Sequence, residues 1–403
     1  MHDCLIIGAG PVALATARAL NLRGLTFCLC GELPRQRPNS PDLRTAALFE
    51  GSIRLLERLD AWSLVQPAAA RLAAIRIIDA TGRLLRAPEQ LFSGIDMGAA
   101  ELGFNIPNPA LVDALRATLA ATEDVTRTET DEINLTAQVT HIEICDDHIT
   151  ATLADHTRRH GRMAIAADGR NSMTRNAAGI GIKTWDHNQA AITAHFEHDL
   201  PNDAISTELH SRAGPCTVVP LGPNKSSLVW MEHPDTAHQL AALPDEKFIA
   251  ALEERLEGLL GPVRHVTTRR VFPLSSLIAD RFAARRVALV GESGHAFPPI
   301  GAQGLNLGLR DAASLVDHLA DARQSGHDIG ADRILDAYSA SRRSDIVART
   351  YGVDAFNVSL ADRAAGLLRG AALHATHASP AFKRFLLARG MQPVGPWPTM
   401  MRQ

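Results

Sequence analysis

Cys4-Leu5-Ile6-Ile7-Gly8-Ala9-Gly10-Pro11-Val12-Ala13-Leu14, followed after a helical stretch by Leu25-Thr26-Phe27-Cys28-Leu29-Cys30, decides the fold class of this chain. Residues 3–7 are short, apolar and ended by glycine, the pattern of a buried parallel strand. From Pro11 to Arg23 a helix fits, with proline in its first turn and Gly24 past its end. Residues 25–30 then form a second buried strand. A β-α-β unit of this kind predicts a doubly wound α/β core. Its turn, Gly8 to Ala13, has the form of a dinucleotide fingerprint. A pyrophosphate must approach backbone N–H groups at the helix N-terminus, and side chains there would block it. Ala13 stands at the third glycine position, where the fingerprint tolerates it. An acid closing the second strand would bind ribose. Glu32 is the nearest candidate, with Gly31 at the aligned position. By itself the motif suits NAD or FAD equally.

The chain has 403 residues, 46% hydrophobic and 21% charged, enough for a large core and two or three domains. A formal net charge of −3 gives no general field for nucleic acid or an anionic membrane, so no nucleic-acid partner is expected. The cysteines, Cys4, Cys28, Cys30, Cys145 and Cys216, are odd in number and scattered, which fits free thiols in a reducing cytoplasm. Cys28 and Cys30 lie in an apolar run without a second Cys or His pair at ligand spacing. They read as small strand residues, and no metal site is expected. The opening stretch has no basic leader region or cleavage pattern, and no run reaches the roughly 18–20 apolar residues that span a bilayer. A cytoplasmic protein is expected, at most peripheral at the inner face of the membrane.

Farther along, the pattern predicts a helix over 46–60, a short hairpin over 75–86 around Thr81-Gly82 and a helix over 109–122. A hairpin of 137–145 with 148–153 and a strand 163–167, ended by Asp168-Gly169, follow. Strand-like pieces at 190–197, 205–211, 216–221 and 226–231, with a helix at 245–259, describe a mostly antiparallel inserted sheet. The core resumes at strand 286–290, and the rest is helical from 331 to 390. The expected division is a core of 1–185 and 274–345, a substrate-binding sheet domain of 186–273 and C-terminal helices of 346–403. The 75–86 hairpin is expected on the substrate side.

Two further motifs bear on the cofactor. Ala167-Asp168-Gly169-Arg170-Asn171-Ser172, with Arg175, is alone no more than a strand-ending turn. Residues 287–311, VALVGESGHAFPPIGAQGLNLGLRD, say more: a strand runs into Glu292, then a Pro/Gly-rich loop enters a helix N-terminus. A carboxylate there suits ribityl hydroxyls, and a helix N-terminus stabilises negative charge on a reduced flavin ring.

With these motifs in this order and spacing, nearly the whole chain resembles the flavoprotein aromatic monooxygenases related to 4-hydroxybenzoate hydroxylase. It is most similar to their ubiquinone-biosynthesis hydroxylase branch. Residues 42–48 (DLRTAAL), 104–111 (FNIPNPAL), Gly214-Pro215, Val219-Pro220-Leu221, Phe272-Pro273-Leu274 and the loop 295–307 carry that likeness. The resemblance implies a Rossmann-type FAD-binding core with an inserted antiparallel substrate sheet and a helical C-terminus. It implies one non-covalent FAD, with Gly8, Gly10, Ala13 and Glu32 in the dinucleotide turn and its acid. Arg44, Asn108 and Glu292 would serve the ribityl–phosphate portion, Val139 the adenine, and Asp168 with Gly169 the pyrophosphate region. Pro299, Gly301, Gly304, Leu305 and Asn306 would line the isoalloxazine. Ala13, Gly31 and Glu292 depart from the family pattern and bear on FAD affinity.

The implied chemistry is reduction by NAD(P)H or another donor, reaction with O2, and hydroxylation of a hydrophobic aromatic substrate by a flavin C4a-hydroperoxide. A prenylated phenol of ubiquinone biosynthesis is the expected substrate. A hydroxylase of a soluble phenol or natural product, or an inactive accessory flavoprotein of a quinone-biosynthesis complex, remains open. The four tryptophans make no W-x-W-x-I-P stretch, so halogenation is not expected. The flavin carries the chemistry and no catalytic triad is expected. His295 is the only candidate base, and satisfying loop carbonyls is the favoured reading for it. Ile192, Phe196, Val218, Val229 and Trp230 are candidate pocket residues that suit a core equally. In 360–391, Leu367, Leu368, Phe382, Phe385, Leu386 and Leu387 alternate with Arg363, Arg369, Lys383, Arg384 and Arg389. That texture suits contact with a membrane or a quinone-biosynthesis complex, or a helix docked on the core.

Overall fold

The computed structural model describes residues 1–33, 42–82, 87–121, 131–361 and 363–402. Parallel strands Val287–Leu289, Arg158–Ala166, His2–Ile7, Phe27–Cys30 and Glu132–Asn134 lie side by side in that order. The central strands are buried along their length because helices cover both faces, which is why they read as unbroken apolar runs. Alanines of Pro11–Leu22 are buried, so their small side chains let that helix approach its neighbours closely. The hairpin Val139–Ile144 with Ile149–Leu153 extends this sheet from Arg158–Ala166.

A second, mostly antiparallel sheet has the order His295–Ala296, Arg270–Ala279, Ile182–His198, Lys225–Glu232, Pro215–Gly222, Ile205–His210, Ala74–Asp79, Gln90–Ser93. Strands Ile182–His198 and Arg270–Ala279 pair continuously through positions 185/186 and 273/274, with a bulge between Asp186 and Gln189. Both strands belong to the second sheet and run across the expected domain boundaries.

Two local expectations need correction. The stretch expected as a helix over 46–60 divides into a strand, Thr45–Phe49, and a helix, Glu50–Arg58. The strand pairs with Gly103–Pro107, and Asn306 secures it by donating to the Ala47 carbonyl at 2.8 Å and accepting from Phe49 N at 3.1 Å. Tertiary pairing overrides the helix propensity of Ala-Ala-Leu. The 75–86 hairpin is instead a strand, Ala74–Asp79, that pairs with Gln90–Ser93 and runs parallel to Ile205–His210. Asp79 ends it by accepting from Thr81 N (3.1 Å), Thr81 Oγ1 (2.6 Å) and Ala87 N (3.2 Å). Residues 83–86 lie outside the described residues.

The helical C-terminus comprises Asp332–Ala361, Arg363–Ala378 and Pro380–Met391. The tail after it folds back on the core, burying Met400 and Met401. The Trp397 ring fills the space that a side chain at Gly51 would need. Among the described residues no helix is long and apolar enough to cross a membrane. His2, Cys28 and Glu132 form the one group of potential metal ligands among them. Glu132 there already accepts from Arg159 Nε at 2.7 Å, and the Cys28 and Cys30 sulfurs are 3.4 Å apart.

Candidate active site

Four neighbouring parallel strands release their chains at one edge. Gly8 follows His2–Ile7, Gly31 follows Phe27–Cys30, Asp168-Gly169 follows Arg158–Ala166, and Glu292 follows Val287–Leu289. Ligands of open α/β sheets bind at such carboxyl ends. The loops pack backbone against backbone. Gly8 has φ +137°, and a Cβ there would lie 2.3 Å from the Ala167 carbonyl oxygen. A Cβ on Gly31 would lie 2.8 Å from the Gly8 carbonyl carbon. Gly10, by contrast, has nothing within 4 Å of an added Cβ, so the turn opens there toward an incoming group. The missing family acid at position 31 therefore has a steric cause. Gly31→Asp is expected to weaken FAD binding, by about 1–3 kcal/mol as overpacking does. A flavin-fluorescence titration showing tighter binding than in the parent chain would sink that explanation. Glu32 is exposed and bridges to Thr136.

Asp168 accepts through Oδ2 from Thr174 N (3.1 Å) and Thr174 Oγ1 (2.9 Å), while its buried Oδ1 has no hydrogen-bond partner. Arg175, 2% exposed, donates to the carbonyls of Ser293 (2.9 Å) and Arg170 (3.0 Å), which ties the second motif to the third. Burial pulls its guanidinium below the usual arginine pKa, against the charge of Asp168. Val139 is buried at the start of its hairpin strand, where it pairs with Leu153.

Arg44 and Asn108 adjoin, since Asn108 N donates to the Arg44 carbonyl at 3.0 Å. The Arg44 guanidinium grips Asp42 through two hydrogen bonds of 2.9 and 2.8 Å. Those bonds hold it above the usual arginine pKa, and the Glu292 charge acts in the same direction. Arg44 thus joins the 42–48 segment to Asn108. The Oδ1 atom of Asn108 is buried without a hydrogen-bond partner. Glu292 is exposed. If its carboxylate holds a ribityl chain, Glu292→Ala should weaken FAD binding by roughly 1–3 kcal/mol. Unchanged flavin occupancy would remove Glu292 from the site.

The loop 299–302 enters the helix Gln303–Gln324 through two left-handed residues, Gly301 (φ +64°) and Ala302 (φ +52°). Pro299 and Gly304 are exposed and Leu305 is half-buried. Asn306 is buried, and besides the strand bonds above it accepts from Ser52 Oγ (2.7 Å) and donates to the Ala302 carbonyl (2.7 Å). Its side chain braces the loop. His295, 2% exposed, shares a 2.7 Å hydrogen bond with Asp311, which also accepts from Gly291 N (3.0 Å) and Arg342 Nε (2.8 Å). Burial would raise the Asp311 carboxyl, but His295 and Arg342 hold it below the usual range. In this place His295 secures the third motif through a carboxylate, not through loop carbonyls, and does not stand open to a substrate.

The pocket reading of the apolar strand residues needs a division by face. Ile192, Phe196, Val218 and Trp230 pack against Phe248, Leu252 and Leu256 of the helix Asp245–Leu256, a core on the far side of the sheet. Val229 lies on the other face with Ala191, Met231 and Leu274, which pack against Ile300 of the loop 299–302 and Phe356. Alternation along the strands contained this division, but only the helix reveals which face is core.

Two buried unbonded oxygens (Asn108 Oδ1 and Asp168 Oδ1), an open glycine turn and a left-handed loop at a helix N-terminus fit FAD. A family profile described as FAD binding domain matches residues 1–350. The chain belongs to that family. It is a flavin-dependent monooxygenase with a mixed α/β fold. Ubiquinone hydroxylase UbiL of Rhodospirillum rubrum is 34% identical over 345 residues, 85% of this chain and 78% of that protein. The 3-demethoxyubiquinol 3-hydroxylase of Escherichia coli is 28% identical over 359 residues, 88% of each. Among solved structures, p-nitrophenol 4-monooxygenase PnpA of Pseudomonas putida DLL-E4 shares the fold, with TM-score 0.78 at 19% identity over 98% of this chain and 99% of that one. These relatives agree with the resemblance read from the motifs.

Proposed function

We propose that this chain hydroxylates the ring of a prenylated phenol intermediate of ubiquinone biosynthesis, with dioxygen, FAD and NAD(P)H or another electron donor. The observation that carries this reading is the 34% identity to a ubiquinone hydroxylase across 85% of the chain. The apolar wall facing the flavin loop supports it. FAD held there would pass two electrons from the donor to dioxygen, one oxygen atom of which goes to the ring while the other leaves as water.

The protein's own part is placement and exclusion of water. The Gly8–Gly10 turn would take the pyrophosphate, with Arg44, Asn108 and Glu292 beside the ribityl–phosphate portion and Asp168 beside the pyrophosphate. N–H groups at the start of Gln303–Gln324 would stabilise negative charge on the ring. Ala191, Val229, Met231, Leu274 and Phe356 would hold an apolar ring dry against it. A lipid-tailed substrate needs delivery, and Pro380–Met391 exposes Phe385 (52%) with Arg384 and Arg389. We place contact with a membrane or a biosynthetic partner there.

The test is the quinone profile of a strain lacking this protein. Accumulation of a prenylated phenol one hydroxyl short, reversed by the gene, is expected. A normal profile would overturn the proposal and leave the soluble-phenol reading.

A further inference from the structure

We propose that Gln303 and Arg349 are positioning residues, through which the C-terminal turn 390–392 fixes the backbone of the flavin-facing loop 299–302. The inference rests on FAD binding at that loop. Gly301 and Ala302 are both left-handed, and Ala302 pays no heed to the alanine preference for right-handed backbone. Such a pair persists only where its surroundings over-determine it.

Here both carbonyls are held. Asn306 Nδ2 donates to the Ala302 carbonyl at 2.7 Å, and Gln303 Nε2 donates to the Gly301 carbonyl at 2.9 Å. The same Gln303 nitrogen reaches the Gly390 carbonyl at 3.1 Å. Gln303 Oε1 accepts from Arg349 Nη1 at 2.6 Å, which fixes the amide's orientation. Arg349, 7% exposed, also donates to the carbonyls of Gly390 (2.5 Å) and Gln392. Its Nε donates to Asp345 Oδ1 at 3.1 Å, so its charge is compensated behind the loop.

An unbroken chain of hydrogen bonds therefore runs from the C-terminal turn to the Gly301 peptide plane. That plane carries the Ala302 N–H, and holding the Gly301 carbonyl fixes the direction in which this N–H would be offered to the ring. N–H groups so placed stabilise a reduced, negatively charged flavin, so their alignment bears on its potential as well as its affinity. Arg349 is buried behind the loop and would act through Gln303 and the tail.

The experiment uses the full chain loaded with FAD and the variants Gln303→Met and Arg349→Lys. FAD dissociation constant, flavin midpoint potential and Tm are measured for each. Gln303→Met keeps length and removes the donor to Gly301, and it should weaken FAD about five- to tenfold. Its midpoint potential should become more negative while Tm stays near that of the parent. Arg349→Lys should shift potential and affinity in the same direction, because an ammonium cannot span Gln303, Gly390 and Gln392 together. Should Arg349→Lys fail to fold, Gln303→Met decides alone. Unchanged potential and affinity in Gln303→Met, or a fall in Tm without a shift in potential, overturns the positioning role. A parent chain that takes up no FAD overturns the flavin reading itself, and this inference with it.

Discussion

Asp345→Asn should lower the free energy of unfolding by about 3–5 kcal/mol, the cost of removing one partner from a buried ion cluster. The Asp345 side chain is 1% exposed and accepts from Arg310 Nη1 (2.7 Å), Arg342 Nη2 (3.2 Å) and Arg349 Nε (3.1 Å). It also accepts from Val394 N at 3.3 Å. Asparagine keeps the shape but removes the charge, and three buried guanidiniums then have only Asp311 between them. Burial already pulls Arg310 down to about 10, a sign of how little solvent reaches this cluster.

The same group makes a pH prediction. Burial would raise the Asp345 carboxyl, but Arg310, Arg342 and Arg349 outweigh it and hold it at about 2, against an ordinary value of 3.8. A depressed folded-state pKa stabilises the fold above the unfolded value, and that stabilisation is lost as pH falls from about 4 to about 2. The shift corresponds to about 2 kcal/mol. Denaturant midpoints at neutral pH and through pH 4 to 2 check both statements, with the m-value unchanged. A midpoint that does not move in Asp345→Asn would show that the arginines find other partners.

None of that cluster was legible in the sequence, and the reason is physical. Arg310, Asp311, Arg342, Asp345 and Arg349 look like solvated faces of long helices, because charge pattern carries no information about what packs over it. The opening β-α-β unit was legible because strand, turn and helix signals are local there. The glycine turn, the Asp-Gly turn and the loop entering Gln303–Gln324 announced themselves for the same reason, and the fold brings them to one sheet edge. Their mutual bracing was not legible. Asn306 was expected beside the ring, and nothing in its motif announced that its amide also holds Thr45–Phe49, some 260 residues earlier in the chain. The apolar wall was half legible, since strand alternation shows two faces without saying which one a helix will cover. Trp230 and Val229 are neighbours in sequence and belong to different surroundings.

Truncation before Leu360 should leave a remnant that aggregates or sheds FAD, not a soluble yellow enzyme with a missing docking arm. Leu360, Leu373, Leu387, Met400 and Met401 are each at most 8% exposed. At roughly 1.5–3 kcal/mol for each buried side chain, they contribute roughly 8–15 kcal/mol as an upper estimate. That is comparable to the ~5–15 kcal/mol net stability of a whole domain. Polar anchors go with them: Arg310 Nη2 donates to the Met391 carbonyl (3.1 Å), and Thr399 N to Asp317 Oδ2 (2.6 Å). Lys383 pairs with Asp96 at 2.7 Å, which fastens Pro380–Met391 to the short helix Gly94–Met97 beside the second sheet. Removing the tail also uncovers the apolar surface around Gly51 that the Trp397 ring occupies. An exposed face on Pro380–Met391 is compatible with this, because a helix docked along one side still offers the other to a membrane or partner. The two roles separate by choice of variant. Phe385→Glu with Arg384→Glu should leave flavin content and Tm unchanged while reducing binding to anionic vesicles. A truncated chain that stays soluble, keeps its FAD and oxidises NAD(P)H would show that the segment serves contact alone.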